Sequence, residues 1–470
     1  MKKQLLIFIT TVVFILVFYN ESVGINLSLF GLFLLVCVGF NYPEAFKRTN
    51  FTLAFVSSVL VLLSNTCAFG AETLFFSIIS LIVVIALAKY PKFKLYLTPL
   101  IIPMQGFAAL IRLWLEETTP FKVSKKINSD QLLTKTLAYI FIPFVFIVGF
   151  VIIYALNSDT ISGFFSNIKF TVKPQLIFTV LLGFYLAFCF WDSWIYSGIL
   201  TYLNSQSNRL KQTTDSTQPL FPVETEYRSG IITLNVLNVL LILFLIIYSY
   251  EQFILNQSNL SQATHQGVTS IIVSIVMAVG VLLFYFRGNL NFYKSNILLK
   301  KSAYAWMLLN LILIIVTAAK TLQYVNFSGL TEQRLGVFWF LILSSIGLYF
   351  TYKKIQSLKT VNYLINKMSW ATYLGLILVV VPNWSSIITS YNLMHHNKDF
   401  NYLIGLSYNQ KQILDAFKDN PTSWEYKKSY NHIKHKQALS PLSKELYYET
   451  IDLSKYPSLD PKDISDYNFF

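Results

Sequence analysis

The residues able to do chemistry in this chain are few and scattered. Asp192 lies between Trp191 and Trp194 inside an apolar run, and a carboxylate within a membrane span is costly and often functional. Its place near one end of the run also allows a simpler role, facing interfacial water or pairing with a lysine. Asn235 and Asn238 share one apolar run and Asn310 stands in another. Amides so placed either line a polar path or bond helix to helix, the latter at about 0.6 to 2 kcal/mol each. Glu226 and Arg228 precede the first of these runs, His265 and Arg287 bracket the next, and Asn289 and Asn291 follow Arg287 in a turn-forming cluster. Convergence of Asp192, Asn235, Asn238 and Asn310 on one cavity would make a transport path. A lateral groove gathering Glu226, Arg228, Arg287 and Asn291 would suit a transferase acting on a lipid-linked substrate.

Other chemistries lack their residue patterns. The histidines are His265, His395, His396, His432 and His435, without the convergent carboxylate or thiolate spacing of a zinc motif, so no metal ligand is assigned. No Walker-type glycine loop, GxSxG or HExxH occurs, so no catalytic residue and no cofactor is assigned either. Cys37, Cys67 and Cys189 all fall in apolar runs, where a thiol is expected to act as a small buried hydrophobe.

The elements that must position these residues are apolar helices. Of 470 residues, 54% are hydrophobic and 13% charged, against about 25% charged in an average soluble domain. The expected fold is an all-α polytopic transmembrane helix bundle of about eleven spans. Spans are read over 5–19, 25–40, 51–69, 73–88, 137–156, 175–200, 230–248, 268–286, 303–319, 335–352 and 369–391. The first is read as uncleaved, although Ser22-Val23-Gly24 offers small residues of the kind a signal peptidase uses. Residues 95–117, broken by Pro99 and Pro103, read as an amphipathic helix lying on the membrane surface, with a re-entrant pair as the alternative. The expected organisation is an N-terminal membrane region (1–203), a flexible polar loop (204–222), a C-terminal membrane region (223–391) and a tail (392–470). Pro382 should bend the last span, Ser270, Ser274 and Ala278 should form a close-packing face, and Asp399 should cap a helix over 402–417.

The net charge of +14 would suggest nucleic acid in a soluble protein. Here acids and lysines balance in the tail, and the excess lies between spans, where it sets orientation and meets anionic head groups. The assigned inner connections outnumber the outer ones in lysine and arginine by roughly five to one. That predicts a cytoplasmic N-terminus and an extracytoplasmic tail. The lipid bilayer is the expected partner, a protein partner for the tail is a second, and nucleic acid is not expected. The absence of catalytic motifs favours a non-enzymatic envelope scaffold or signalling partner over the transporter and transferase readings.

Several short elements carry a resemblance. They are Glu226-Tyr227-Arg228-Ser229-Gly230 with Asn235 and Asn238, His265-Gln266-Gly267, Arg287 to Tyr293, Trp306 with Asn310, Gly329-Leu330-Thr331 with Arg334 and Gly336, and Tyr391-Asn392, Asp399 and Tyr402-Leu403. In order and spacing the stretch from Glu224 to Leu406 resembles the bacterial polytopic membrane family called domain of unknown function 4173. That resemblance implies an integral inner-membrane protein and brings no established activity, substrate or cofactor.

Overall fold

The computed structural model describes residues 3–102, 106, 173–193, 197–210, 222–253, 260–286, 288–293, 296–395 and 399–459. Among them seven helices are long and apolar enough to cross a membrane, and the architecture is all-α. This is a multi-pass membrane protein. The chain divides into two compact units, Met1–Leu200 with Lys434–Ile451, and Thr201–Ile433 with Asp452–Phe470.

The first unit holds α1 (Lys3–Phe18), α2 (Ile25–Asn41), α3 (Thr49–Cys67), α4 (Ala71–Lys89) and α5 (Pro174–Trp191). Helix α1 packs along α5, α3 along α4, and α2 against α3. Side chains face outward into lipid where they are apolar and unpartnered, as Leu16, Phe40 and Phe178 do. Serines and threonines are buried between helices and bond back to their own turns, as Ser58 does to Ala54 O at 2.9 Å. The run read as a span over 175–200 ends at Trp191. Asp192 closes it, with its N–H still donating to Phe188 O at 2.7 Å.

The second unit opens with α6 (Ser197–Ser205), which begins across the unit boundary. It continues with α7 (Val223–Phe253), α8 (Leu260–Tyr285), α9 (Ile297–Ser328), α10 (Glu332–Gln356) and α11 (Val361–Val380). Helix α9 is central: it packs on α7, α8 and α10, and α10 packs in turn on α11. At about 1.5 Å per residue the 32 residues of α9 run roughly 48 Å, more than the hydrocarbon core needs. Helix α7 instead turns Ile232, Val236, Val239, Leu240 and Leu243 outward.

Three expectations change here. The buried face of α8 is Ile275, Ala278, Leu282 and Tyr285, while Ser274 is exposed, so Ala278 but not Ser274 belongs to the packing seam, and the side chain of Ser270 lies outside the described residues. Larger side chains remove more apolar area from the surroundings and fill the space against α9 better. Cys67 is exposed and Cys37 and Cys189 only half-buried, so the thiols are not core residues. The last span divides: α11 stops at Val380, and α12 (Trp384–Met394) starts after Pro382 with Asn383 accepting from Ser386 N at 3.1 Å. Proline supplies no N–H, so the chain breaks there rather than bending.

The tail begins with α13 (Phe400–Gly405) and α14 (Gln410–Ala416). Asp399 caps the first of these through Tyr402 N at 3.2 Å, as expected, but the helix read over 402–417 is interrupted between them. Asn409 fills the break, donating to Leu403 O and to the Thr389 hydroxyl. Helix α15 (Trp424–Gln437) and the short α16 (Leu446–Glu449) follow. The readings over 95–117 and 137–156 lie wholly or largely outside the described residues.

Candidate functional site

In the first unit, Asp192 forms an ion pair with Lys3. The same lysine stands 6.0 Å from the Phe188 ring. Lys89 donates to the carbonyls of Trp191 (2.6 Å) and Ser193 (3.3 Å), so a cation meets the carbonyl end of α5, where the helix dipole favours it. Trp191 is buried and donates its indole N–H to Thr10 at 2.8 Å. Asp192 is thus engaged at a helix end by a lysine.

At the other end of α1, residues of the tail strap the turn between α1 and α2. Ile25 N donates to Lys444 O (3.0 Å) and Asn26 N to Leu442 O (3.1 Å). Helix α2 therefore has its first amides capped by backbone more than four hundred residues away in sequence. Ser22 N donates to Ser443 Oγ at 2.9 Å, and the hydroxyls of Ser440 and Ser443 both donate to Glu21. Those hydroxyls hold the Glu21 carboxyl below its ordinary range. Gly24 makes the approach possible, since a Cβ there would lie 2.6 Å from the Ser443 carbonyl carbon and oxygen. Within the strap, Glu445 is buried and its carboxylate takes Lys436 at 2.6 Å. Burial, with Glu445 second, drives the neighbouring Tyr448 hydroxyl far up from its usual range.

The second unit contains most of the residues singled out from the sequence. Ser302 on α9 donates to Asn235 Oδ1 at 2.8 Å, and Asn238 donates to Ser302 O at 3.1 Å, so both amides tie α7 to α9. Asn310 donates to Trp306 O at 2.8 Å, on its own helix. Ser229 and Thr233 on α7 meet the Tyr285 hydroxyl at 3.2 and 2.9 Å. Beyond α8 the chain forms a compact knot. Asn291 donates to Phe286 O (3.0 Å) and Gly288 O (2.8 Å), and Asn296 donates to Asn291 O (2.6 Å). Lys354 reaches the same Phe286 carbonyl at 2.6 Å with its side chain almost wholly buried. In sequence Lys354 directly follows Lys353 at the end of the run 335–352, and nothing in the pattern of the run singles it out. Glu226 is half-buried on the first turn of α7, and the side chains of His265, Arg287 and Asn289 lie outside the described residues.

An open groove of about 640 Å³ runs along the start of α7, lined by Pro222, Glu224, Thr225, Arg228, Ser229, Ile232 and Thr233. Glu224 and Arg228 pair across one helical turn at 2.6 Å, both well exposed. Such a pair contributes no more than about 1 kcal/mol. The groove gathers Arg228 but neither Glu226 nor Asn291. At the other end of α9 the elements Gly329–Thr331, Arg334, Asn392 and Tyr402 do come together. Asn392 bonds both the N–H and the carbonyl of Leu330 (2.7 and 2.8 Å), Arg334 donates to Ser328 O and Gly329 O while lying 4.0 Å from the Tyr324 ring, and Tyr402 accepts from Glu332 N at 3.0 Å. Every hydrogen bond among these satisfies backbone at a helix end. Among the described residues no group of three or more histidine, cysteine, aspartate or glutamate side chains is placed to hold a metal ion.

A family model described as "Domain of unknown function (DUF4153)" matches residues 26–417. The chain belongs to that family. The assignment replaces the resemblance to domain of unknown function 4173 and takes in most of the first unit as well. The physical reason for the difference is in the contacts just described: Asn291, Arg334, Asn392 and Asp399 all cap helix ends, a task common to helical membrane chains, so their spacing does not discriminate between families. No curated protein and no solved structure matches the chain.

Proposed function

We propose that this chain is a non-enzymatic scaffold of the bacterial cell envelope, set in the inner membrane by about eleven spans with its N-terminus cytoplasmic and its tail extracytoplasmic. The tail is the part offered to a protein partner, and the basic inner connections meet anionic head groups. The observation that carries this reading is the strap. Hydrogen bonds join the α1–α2 turn to residues Ser440–Lys444 and hold that segment of the tail in a fixed place on the first unit. Lys3 and the strap lie at opposite ends of α1, which agrees with an odd number of crossings. The use of Asn235 and Asn238 to join α7 to α9 speaks for structural amides rather than a carrier path.

The groove on α7 favours one second reading, a transferase acting on a lipid-linked substrate, because Arg228, Ser229 and Thr225 offer hydrogen-bond partners beside outward-facing Ile232 and Val236. Complementation of a deletion strain separates the two. A scaffold retains function with Glu224→Ala and Arg228→Ala together and loses it when the strap is undocked by Gly24→Ala. The opposite outcome supports the transferase. Orientation is tested with alkaline phosphatase fused after Ser207 and after Asn420; activity at the first fusion, or silence at the second, overturns the topology.

A further inference from the structure

One face of α9 is polar along most of its length. Ser302, Trp306 and Asn310 recur every four residues, and Thr317, Thr321 and Tyr324 continue the same stripe, all buried. From residue 302 to residue 324 a helix covers roughly 33 Å, the thickness of a hydrocarbon core. Most of these groups have partners: the threonines bond the preceding turn, Thr317 to Leu313 O at 2.7 Å and Thr321 to Thr317 O at 2.8 Å.

Three atoms on α7 and α9 are different. Asn238 Oδ1, Asn310 Oδ1 and Trp306 Nε1 are buried and have no hydrogen-bond partner among the described residues. Turning the amides over would not help. Asn238 must aim its N–H at Ser302 O and Asn310 must aim its N–H at Trp306 O, which leaves both oxygens without a donor. Each orphaned group costs about 1–3 kcal/mol if it stays dry, and native interiors seldom leave such groups unpaired.

We propose that the α7–α9 seam is a binding site for ordered water at the turn of Trp306 and Asn310. The set presents one donor and two acceptors. A water molecule that accepts from the indole N–H and donates to the two amide oxygens is its complement, and buried waters typically make about three such bonds. Asn238, Trp306 and Asn310 carry no charge, so the site takes a neutral hydrogen-bonding molecule and discriminates against ions, which would leave a net charge in the seam. Asn235 and Ser302, bonded to each other at 2.8 Å, close the side of the site toward the start of α9.

The test is pulsed X-ray radiolysis of the full-length chain in lipid nanodiscs, with oxidation read by mass spectrometry. Radicals formed from a held water attack the side chains beside it, here Trp306 and Met307. Trp191 serves as the internal comparison, since it too is buried but its indole N–H is taken by Thr10. Oxidation of Trp306 at roughly fivefold or more the rate of Trp191 is expected if water is held there, and Asn310→Leu should return it to the Trp191 level. Equal rates for the two tryptophans in the unaltered chain, or a Trp306 rate unmoved by Asn310→Leu, overturn the proposal. If Asn310→Leu fails to fold, Trp306→Phe removes the donor and leaves Met307 as reporter; undiminished Met307 oxidation then overturns it as well.

Discussion

Replacing Gly24 by alanine tests whether the strap depends on that one close approach. The added Cβ would meet the Ser443 carbonyl carbon and oxygen at 2.6 Å and the Lys444 oxygen at 2.7 Å. These are backbone atoms, so no side-chain rotation relieves the overlap, and the strap must retreat by about 0.8 Å to reach ordinary contact. The bonds from Ile25 N and Asn26 N, now 3.0 and 3.1 Å, would then stretch past the hydrogen-bonding range. Those two and the Ser22–Ser443 bond contribute about 0.5–1.5 kcal/mol each, so their joint loss is about 2–4 kcal/mol. That raises the undocked population roughly 30- to 700-fold. Hydrogen exchange with mass spectrometry reads it directly: the peptide covering Ile25 to Ser28 and the one covering Ser440 to Glu445 should both exchange faster by that factor, while α9 is unchanged. The control is Gly280→Ala, where a Cβ meets nothing within 4 Å. If the two peptides exchange in Gly24→Ala as they do in the unaltered chain, the strap is not held as described. If all helices speed up together, Gly24 supports the whole bundle instead.

Docking of the strap should depend on pH through Glu21. Its carboxyl is held low by Ser440 and Ser443, so the stabilisation is complete above the unfolded carboxylate range and is lost as pH falls through the folded value. Cross-linking of Ser22→Cys to Lys444→Cys should be unaffected from pH 8 down to about 6 and decline only in the acid range. Gly329 has φ of +81° and ψ of 175°, with Asn392 Oδ1 2.7 Å from where a Cβ would stand. Gly329→Ala should therefore cost about 1–3 kcal/mol in a detergent unfolding titration. Lys354→Met removes a buried ammonium yet leaves Phe286 O with its Asn291 donor. It should leave the melting temperature level or raise it, whereas Lys354→Ala opens a cavity and lowers stability by about 2–4 kcal/mol.

Helix positions were legible in the sequence because the bilayer imposes a length and an apolar composition that few other environments ask for. The ends were less so. Helix α9 extends past the apolar stretch on both sides, because Lys300, Lys301 and Gln323 continue a helix in water or head groups as readily as leucine does in lipid. Asn235 and Asn238 join α7 to α9 through Ser302, whereas Asn310 bonds the preceding turn of its own helix. Ser302 becomes an acceptable mate only once α7 and α9 are set side by side. Lys354 shows the limit most clearly. In sequence it is the twin of Lys353, and a rotation of one residue around α10 separates a lysine exposed to head groups from one sealed against Phe286. The strap was unreadable, since pairing Glu21 with Ser440 and Ser443 requires knowing where two distant stretches meet.

The strap also has a consequence in time. Chains are made at about 5–20 residues per second. The first turn of α2 emerges early, while Leu442 and Lys444, whose carbonyls cap it, come more than four hundred residues later. For tens of seconds the opening amides of α2 must rely on Asn26, which holds the Gly24 and Leu27 N–H groups through its own side-chain oxygen, and on water. The bundle is therefore finished only by the last part of the chain, and any copy cut short before Ser440 carries an unlatched α1–α2 turn. An envelope protease that surveys loose loops would find in that turn a marker of incomplete synthesis.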